Sequence, residues 1–497
     1  METGVVISLA VYFVAMLAIG LWAWRRSTAD IAGYLLGGRK LSAPVAALSA
    51  GASDMSGWLL LGLPGAAFVS GLSAGWIAIG LFAGALANYL VVAPRLRVHT
   101  ERTGDAITIP EYFEKRFADD SHALRVIASI VIILFFTLYT SSGIVAGGKL
   151  FETAFGAPYA LGLWVTAGVV VVYTLFGGFL AVSVTDFVQG TIMFVALVLV
   201  PLVAFAMLDG GVAAEVGRVN PDALDLFAGM TAVGIVSSLA WGLGYFGQPH
   251  IIVRFMAVRS VRDIPAMRNI GMGWMAVTLL GALATGFVGL AYATRNGLDI
   301  ADPETIFIVL ADILFHPLVT GFLLAALLAA IMSTISSQLL VSSSSLTEDF
   351  YRIYLRRRAS QRELVTVGRA SVLAVALVAI GLAYNEDSTI LTLVAHAWAG
   401  FGAAFGPIVI LSLTWKRLTR NGALAGMIAG ALTVIVWILP LLPEGRTIDS
   451  ATVYAMVPGF LLCGAVAILV SLLDRPPPPE VVRTFEASEA ERAAAGE

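Results

Sequence analysis

Apolar residues arrive in this chain in long unbroken stretches of about 20, the length at which a helix crosses the roughly 30 Å hydrocarbon core of a bilayer. Some thirteen such spans can be placed, near residues 4–24, 42–66, 70–93, 124–149, 157–177, 180–208, 228–253, 269–293, 317–345, 366–384, 389–414, 421–441 and 453–473. Hydrophobic residues make up 59% of the 497 and charged residues only 13%, against about 45–50% and about 25% in soluble domains. The fold class this predicts is an all-α integral membrane protein of about 13 transmembrane helices.

A net charge of −3 and a pI of about 6.0 give no reason to expect a nucleic-acid partner, so only the placement of charge is informative. If successive connections alternate sides, all but four of the 30 Lys and Arg fall on one side; Lys149, Arg218, Arg295 and Arg446 lie opposite. The positive-inside rule makes the rich side cytoplasmic, which puts the N-terminus outside and the C-terminus inside. The first span is followed by Arg25 and Arg26 and not by a small-residue cleavage site, so it reads as a retained helix of the inner membrane. The single Cys463 excludes an internal disulfide framework, and five histidines without ligand-like spacing give no metal site. Residues 1–475 read as one polytopic membrane unit. From Asp474 the sequence turns to DRPPPPE and an Ala/Glu-rich end, so 476–497 is expected to be a disordered or loosely helical cytoplasmic tail.

The chemistry concentrates where spans are interrupted. The second reads LSAPVAALSAGASDMSGWLLLGLPGAAF, with Gly51, Gly57, Gly62, Pro64 and Gly65 around Asp54. A carboxylate at a span centre costs about 2.5–3.5 kcal/mol on insertion scales, so Asp54 marks either a function or a structural hydrogen-bond network. Five spans later SSLAWGLGYFGQPHIIVRF repeats the pattern, with Gly242, Gly244, Gly247 and Pro249 among Trp241, Tyr245 and Phe246. Two broken segments in matching positions point to an inverted repeat with its site at the midplane, here about 42–208 paired with about 228–414. Freed carbonyls there can coordinate a cation, and half-helix N-termini can receive a carboxylate. Glycines used for close helix packing are the competing reading.

In the ninth span, AAIMSTISSQLLV, Ala330, Ser333 and Thr334 share one helical face that Ser337 extends. Such a face suits a hard monovalent cation, or else serves as interhelical glue. Trp58, Trp241 and Tyr245 could enclose a small ring or aliphatic side chain, and Tyr139 could gate it. Asp186, in FLAVSVTDFVQG, reads either as a snorkelling or capping residue or as part of an ion path. Arg39, in YLLGGRKL, reads as a positive-inside anchor.

These segments, together with RLRVHTE, TEDFYR, AWAGFGAAFGP and NGALAGMIAGALTVIVW, resemble the sodium/proline symporters of the sodium:solute symporter family, in order, over roughly residues 30–475. The resemblance implies a leucine-transporter-like five-plus-five repeat in a lipid bilayer, carrying L-proline with a co-transported sodium ion. It assigns sodium to Ala52, Met55, Ala330, Ser333 and Thr334. It assigns substrate to Ser56, Gly57, Trp58, Tyr139, Trp241, Tyr245 and Pro249, with Asp54 as the coupling carboxylate and Asp186 on the sodium path. Serine at 337 and 342, where some relatives have cysteine, is a departure without mechanistic consequence. Rival functions are a same-fold symporter for another small solute and a transporter-like sensor, which expects a soluble kinase domain where this sequence has only the short tail. A channel filter loop and a nucleophile, base and orienter set are both missing from the sequence, which disfavours a channel or an enzyme.

Overall fold

The computed structural model describes residues 2–26, 31–208, 211–384, 389–443 and 446–495, and among them it is helical apart from turns and one parallel bridge between Leu41 and Val258. Among the described residues ten helices are long and apolar enough to cross a membrane, and the segments 159–175 and 232–247 are shorter apolar helices. Every expected span falls on helix, but two are split in mid-course and two run together.

The chain begins with α1 (Thr3–Arg26). The second span is α2 (Ala43–Asp54), a π turn over Trp58–Gly62, and α3 (Leu63–Ser70). Then come α4 (Gly75–Val91), the short amphipathic helices α5 (Ala93–Arg102) and α6 (Ile109–Arg116), and α7 (Ala123–Phe155). α8 (Tyr159–Ala206) joins the fifth and sixth expected spans and is divided at Gly178, whose φ of 56° and ψ of −154° only glycine adopts without strain. A β-carbon there would also stand 2.6 Å from the Tyr34 ring.

The seventh span is α9 (Ala232–Leu239), a 3₁₀ run over Ala240–Gly247, and α10 (Pro249–Ala257). The remaining long helices are α11 (Ile264–Asn296), α12 (Pro317–Ser344), α13 (Gln361–Leu382), α14 (Ile390–Thr414), α15 (Arg420–Ile438) and α16 (Met456–Leu473). α12 is sheathed almost completely by protein, and residues 323–340 are all buried. Packing is set by small residues: a β-carbon on Gly84 would stand 2.1 Å from the Gly242 carbonyl, so α4 and the 3₁₀ run meet backbone to backbone.

Of the two readings of the tail, disorder and a loose helix, the structure has the helix. Pro479–Ala494 forms a helix, α17, docked on α5. Val481, Phe485 and Ser488, spaced i, i+4 and i+7, are buried, so a short apolar face exists within the Ala/Glu-rich segment. Glu489 meets His99 at 3.3 Å and Arg95 at 3.7 Å, Glu491 pairs with Arg102, and Lys416 reaches Glu486 at 2.8 Å. The last two residues of the expected tail lie outside the described residues.

Candidate functional site

The first helix break begins at Asp54. Met55 leaves helical geometry (φ −80°, ψ 74°), and the Ser56 N–H turns back to the Asp54 carbonyl at 2.9 Å. That carbonyl also receives the Trp58 indole N–H (3.3 Å) and the Tyr139 hydroxyl (3.4 Å), the kind of side-chain repair that unwound backbone inside a membrane requires. The Asp54 carboxylate is buried, and the Tyr245 hydroxyl donates to its Oδ2. The two breaks are therefore tied together through the residue that the sequence marks most strongly.

α12 supplies the hydroxyl face. Ser333 Oγ donates to the Ala52 carbonyl at 2.7 Å and lies 3.1 Å from that of Ala330, while Thr334 Oγ1 donates to Ala330 at 3.3 Å. Ala52, Met55, Ala330, Ser333 and Thr334 are all 0–2% exposed, so hard oxygens meet where bulk water does not reach. Oxygen-only donors of this kind match a hard monovalent ion and offer nothing to soft metals.

The second break is held by a residue that the sequence reading did not single out. Trp398, on α14, donates its indole N–H to the Trp241 carbonyl at 2.7 Å and receives the Gln248 amide on its own carbonyl at 3.2 Å. Its ring meets Tyr245 edge-on at 5.2 Å. A β-carbon on Gly244 would stand 1.9 Å from the Trp398 indole nitrogen, so this glycine serves close packing as well as the break. Trp58 and Trp241 approach to 6.3 Å, and Tyr454 of the α15–α16 connection stacks on Trp241 at 5.6 Å. Trp398 is one aromatic in an apolar helix, and Tyr454 lies far along the chain, so no local signal exposes either.

Of the expected substrate residues, Ser56, Gly57, Trp58, Tyr139, Trp241 and Tyr245 surround the two breaks, whereas Pro249 opens α10 and lines a narrow crevice with Arg254 and Ser337. Asp186, held by that Arg254, is fully buried and so does not snorkel. Its Oδ2 accepts from Ser49 Oγ (2.7 Å) and Arg254 Nη2 (3.1 Å), and Arg254 also reaches Ser337 Oγ at 2.6 Å. Arg254 directly follows the expected span 228–253, which would put it in a connection. Instead it lies inside α10, 1% exposed, against the Phe179 ring at 5.3 Å. Arg39 is more than an anchor: it binds Asp105 (2.8 Å) and the carbonyls of Met256 and Ala106 (2.8 Å each), tying the chain before α2 to the end of α10.

At the opposite end of the bundle Lys149 meets Asp302 at 3.0 Å and Glu304 at 3.2 Å. Glu304 also accepts from the Ile390 and Leu391 N–H groups at the start of α14, and its backbone lies 3.0 Å from where a β-carbon on Gly65 would be. The connection that carries Glu304 thus closes over α3.

Two discontinuous helices crossing a bundle at mid-length, with unwound backbone facing a hydroxyl-lined helix, define a membrane transporter of the leucine-transporter type. The chain belongs to the sodium:solute symporter family, whose sequence profile matches residues 34–430. It is 57% identical over 488 residues to the osmoregulated proline transporter OpuE of Bacillus subtilis (strain 168), covering 98% of each chain. It is 53% identical over 475 residues to a sodium/proline symporter of Staphylococcus aureus (strain JH9), covering 95% of this chain and 93% of that one. Its backbone superposes on a sodium-coupled sialic acid symporter, solved substrate-bound and outward-open, with a TM-score of 0.81 over 96% of this chain and 99% of that one. At 19% identity, that likeness is one of fold.

Proposed function

We propose that this multi-pass membrane protein takes up L-proline together with sodium by alternating access, with its arginine-rich end in the cytoplasm. The observation that carries the reading is the convergence of the Ser333 and Thr334 hydroxyls on the unwound end of α2, with Ser333 bonded to the Ala52 carbonyl at 2.7 Å. Two proline transporters at 53–57% identity supply the substrate.

Sodium, a cargo ion, is received by the carbonyls of Ala52, Met55 and Ala330 and the hydroxyls of Ser333 and Thr334. Binding there fixes α2 against α12 and so orders the residues that follow it, Ser56, Gly57 and Trp58. This is positive coupling by preorganisation: sodium removes a conformational cost that proline would otherwise bear. Proline presents its carboxylate to N–H groups freed at the breaks and its ring to Trp58, Trp241, Tyr139 and Tyr245. Asp54 acts as the coupling residue, because its side chain is held by the second break through Tyr245 while its carbonyl anchors Trp58 and Tyr139 of the substrate wall. The Asp186, Arg254 and Ser337 group, at the Pro249 end of the site, borders the route on which sodium leaves.

Proline is a net-neutral zwitterion, so one co-transported sodium gains about 2.3 kcal/mol per 100 mV, enough for roughly 50-fold accumulation before the sodium gradient adds its share. Uptake of labelled proline into vesicles, with sodium replaced by potassium or choline, tests the reading. Uptake that is unchanged by the replacement refutes it.

A further inference from the structure

Between α2, α4 and α11 a small cavity of about 20 Å³ is walled by Asp54, Met55, Asn88, Tyr89, Tyr245 and Trp274. Two buried oxygens on its lining residues have no hydrogen-bond partner, Asp54 Oδ1 and Asn88 Oδ1, and the two residues are 2% and 1% exposed. Asn88 lies on α4, one turn beyond the Gly84 contact with the second break, but belongs to neither break and has no part in the coupling described above. A buried acceptor without a donor is costly, and most when it is a carboxylate oxygen. Two such acceptors at one cavity call for a single occupant.

We infer that this cavity holds one water bridging Asp54 Oδ1 and Asn88, and that Asn88 is thereby a positioning residue for the Asp54 carboxylate. The volume suits one water, which needs about 10–15 Å³ by this measure and two or more polar partners. Water brings two donors to two orphan acceptors. A sodium ion fits poorly, because a hard cation takes about six oxygen ligands and the walls are otherwise aromatic and aliphatic. With Tyr245 holding Oδ2 and the water holding Oδ1, the carboxylate stays at this cavity, and the Ala52 carbonyl is left to Ser333. Asn88 therefore sets how readily the break accepts sodium, without touching sodium or proline.

The inference rests on the sodium/proline reading, and its test separates the two. Proteoliposomes carrying wild type, Asn88→Leu and Asn88→Ser are assayed for proline uptake against sodium. Leucine is close to isosteric but cannot hydrogen-bond, and is expected to raise the half-saturating sodium concentration roughly 5-fold or more with the KM for proline at saturating sodium within about 2-fold. Serine keeps an oxygen and is expected to recover at least about half of that shift on a logarithmic scale. A leucine variant that matches wild type, or serine and leucine shifts of equal size, overturns the inference. If Asn88→Leu does not reach the membrane, an experimental wild-type structure that resolves waters decides. A peak within about 3.2 Å of both side-chain oxygens supports it, and an empty cavity or a peak ringed by five or so oxygens overturns it. Wild type without sodium-dependent proline uptake refutes the functional reading, and the structural arm still decides the cavity.

Discussion

Ser333 on α12 donates its hydroxyl to the carbonyl of Ala52, 281 residues earlier in the last turn of α2, at 2.7 Å. One side chain thus joins the intact helix of one repeat to the broken helix of the other. Replacing Ser333 or Thr334 by alanine removes one oxygen from the proposed sodium set, worth about 1–3 kcal/mol or roughly 5- to 150-fold. The expected outcome is a rise of that order in half-saturating sodium, with proline KM at saturating sodium nearly unchanged. Uptake titrated with sodium at fixed proline measures it.

Tyr245 and Trp241 should separate from each other. Trp241→Ala removes aromatic wall and is expected to raise proline KM about 10-fold or more while leaving the sodium titration within about 2-fold. Tyr245→Phe keeps the ring but removes the donor to Asp54, so it should weaken sodium and proline together. A two-dimensional titration of uptake distinguishes them.

The Asp186 and Arg254 pair is buried on both sides, so breaking it strands a charge. Asp186→Asn is expected to lower stability by about 3–5 kcal/mol, while Asp186→Leu combined with Arg254→Met recovers most of the loss. Thermal unfolding of the purified variants reads the difference. If the single and double variants melt together, the pair is not a structural unit.

α17 should release at acid pH. Burial holds the His99 imidazole below its ordinary value, so docking favours the neutral ring, although Glu489 pulls the other way and Arg116 and Arg95 face it too. Burial raises the Glu489 carboxyl, but hydrogen bonds from His99 and Arg492 and the charges of Arg492 and Arg95 outweigh it and hold it at about 2. Both groups bind fewer protons docked than free. Docking is therefore fully stable above about 6.5, weakens first as free His99 protonates, and weakens again below about 4.3 as Glu489 does, through its contacts with His99 and Arg95, since Arg492 lies on α17 itself. A spin label on Glu480 is expected to gain mobility below pH 6, and His99→Gln should remove the first step.

Much of this was legible because lipid leaves few choices. Runs of about 20 apolar residues must be helices, and both breaks were flagged by Gly and Pro inside such runs. The i, i+3, i+4 spacing found Ser333 and Thr334 without any knowledge of what lies opposite. Partners distant in sequence were not legible. Trp398 reads as one more membrane aromatic until it is seen against Gly244 and Trp241. Arg254 reads as a loop charge because Arg259 and Arg262 follow it, and only the start of α10 at Pro249 places it inside. The docking of α17 is not legible, because three apolar or small positions in a charged segment make a weak pattern, which matters once α5 and α6 stand beneath it.

The central claim is that sodium bound between α2 and α12 makes the proline site competent. The most direct measurement is equilibrium binding of labelled proline to purified protein, with and without saturating sodium, in wild type and in Ser333→Ala. The account predicts that sodium tightens proline binding about 10-fold or more in wild type, and that Ser333→Ala needs far more sodium for the same gain. Proline binding that is equally tight in sodium and in potassium would contradict it.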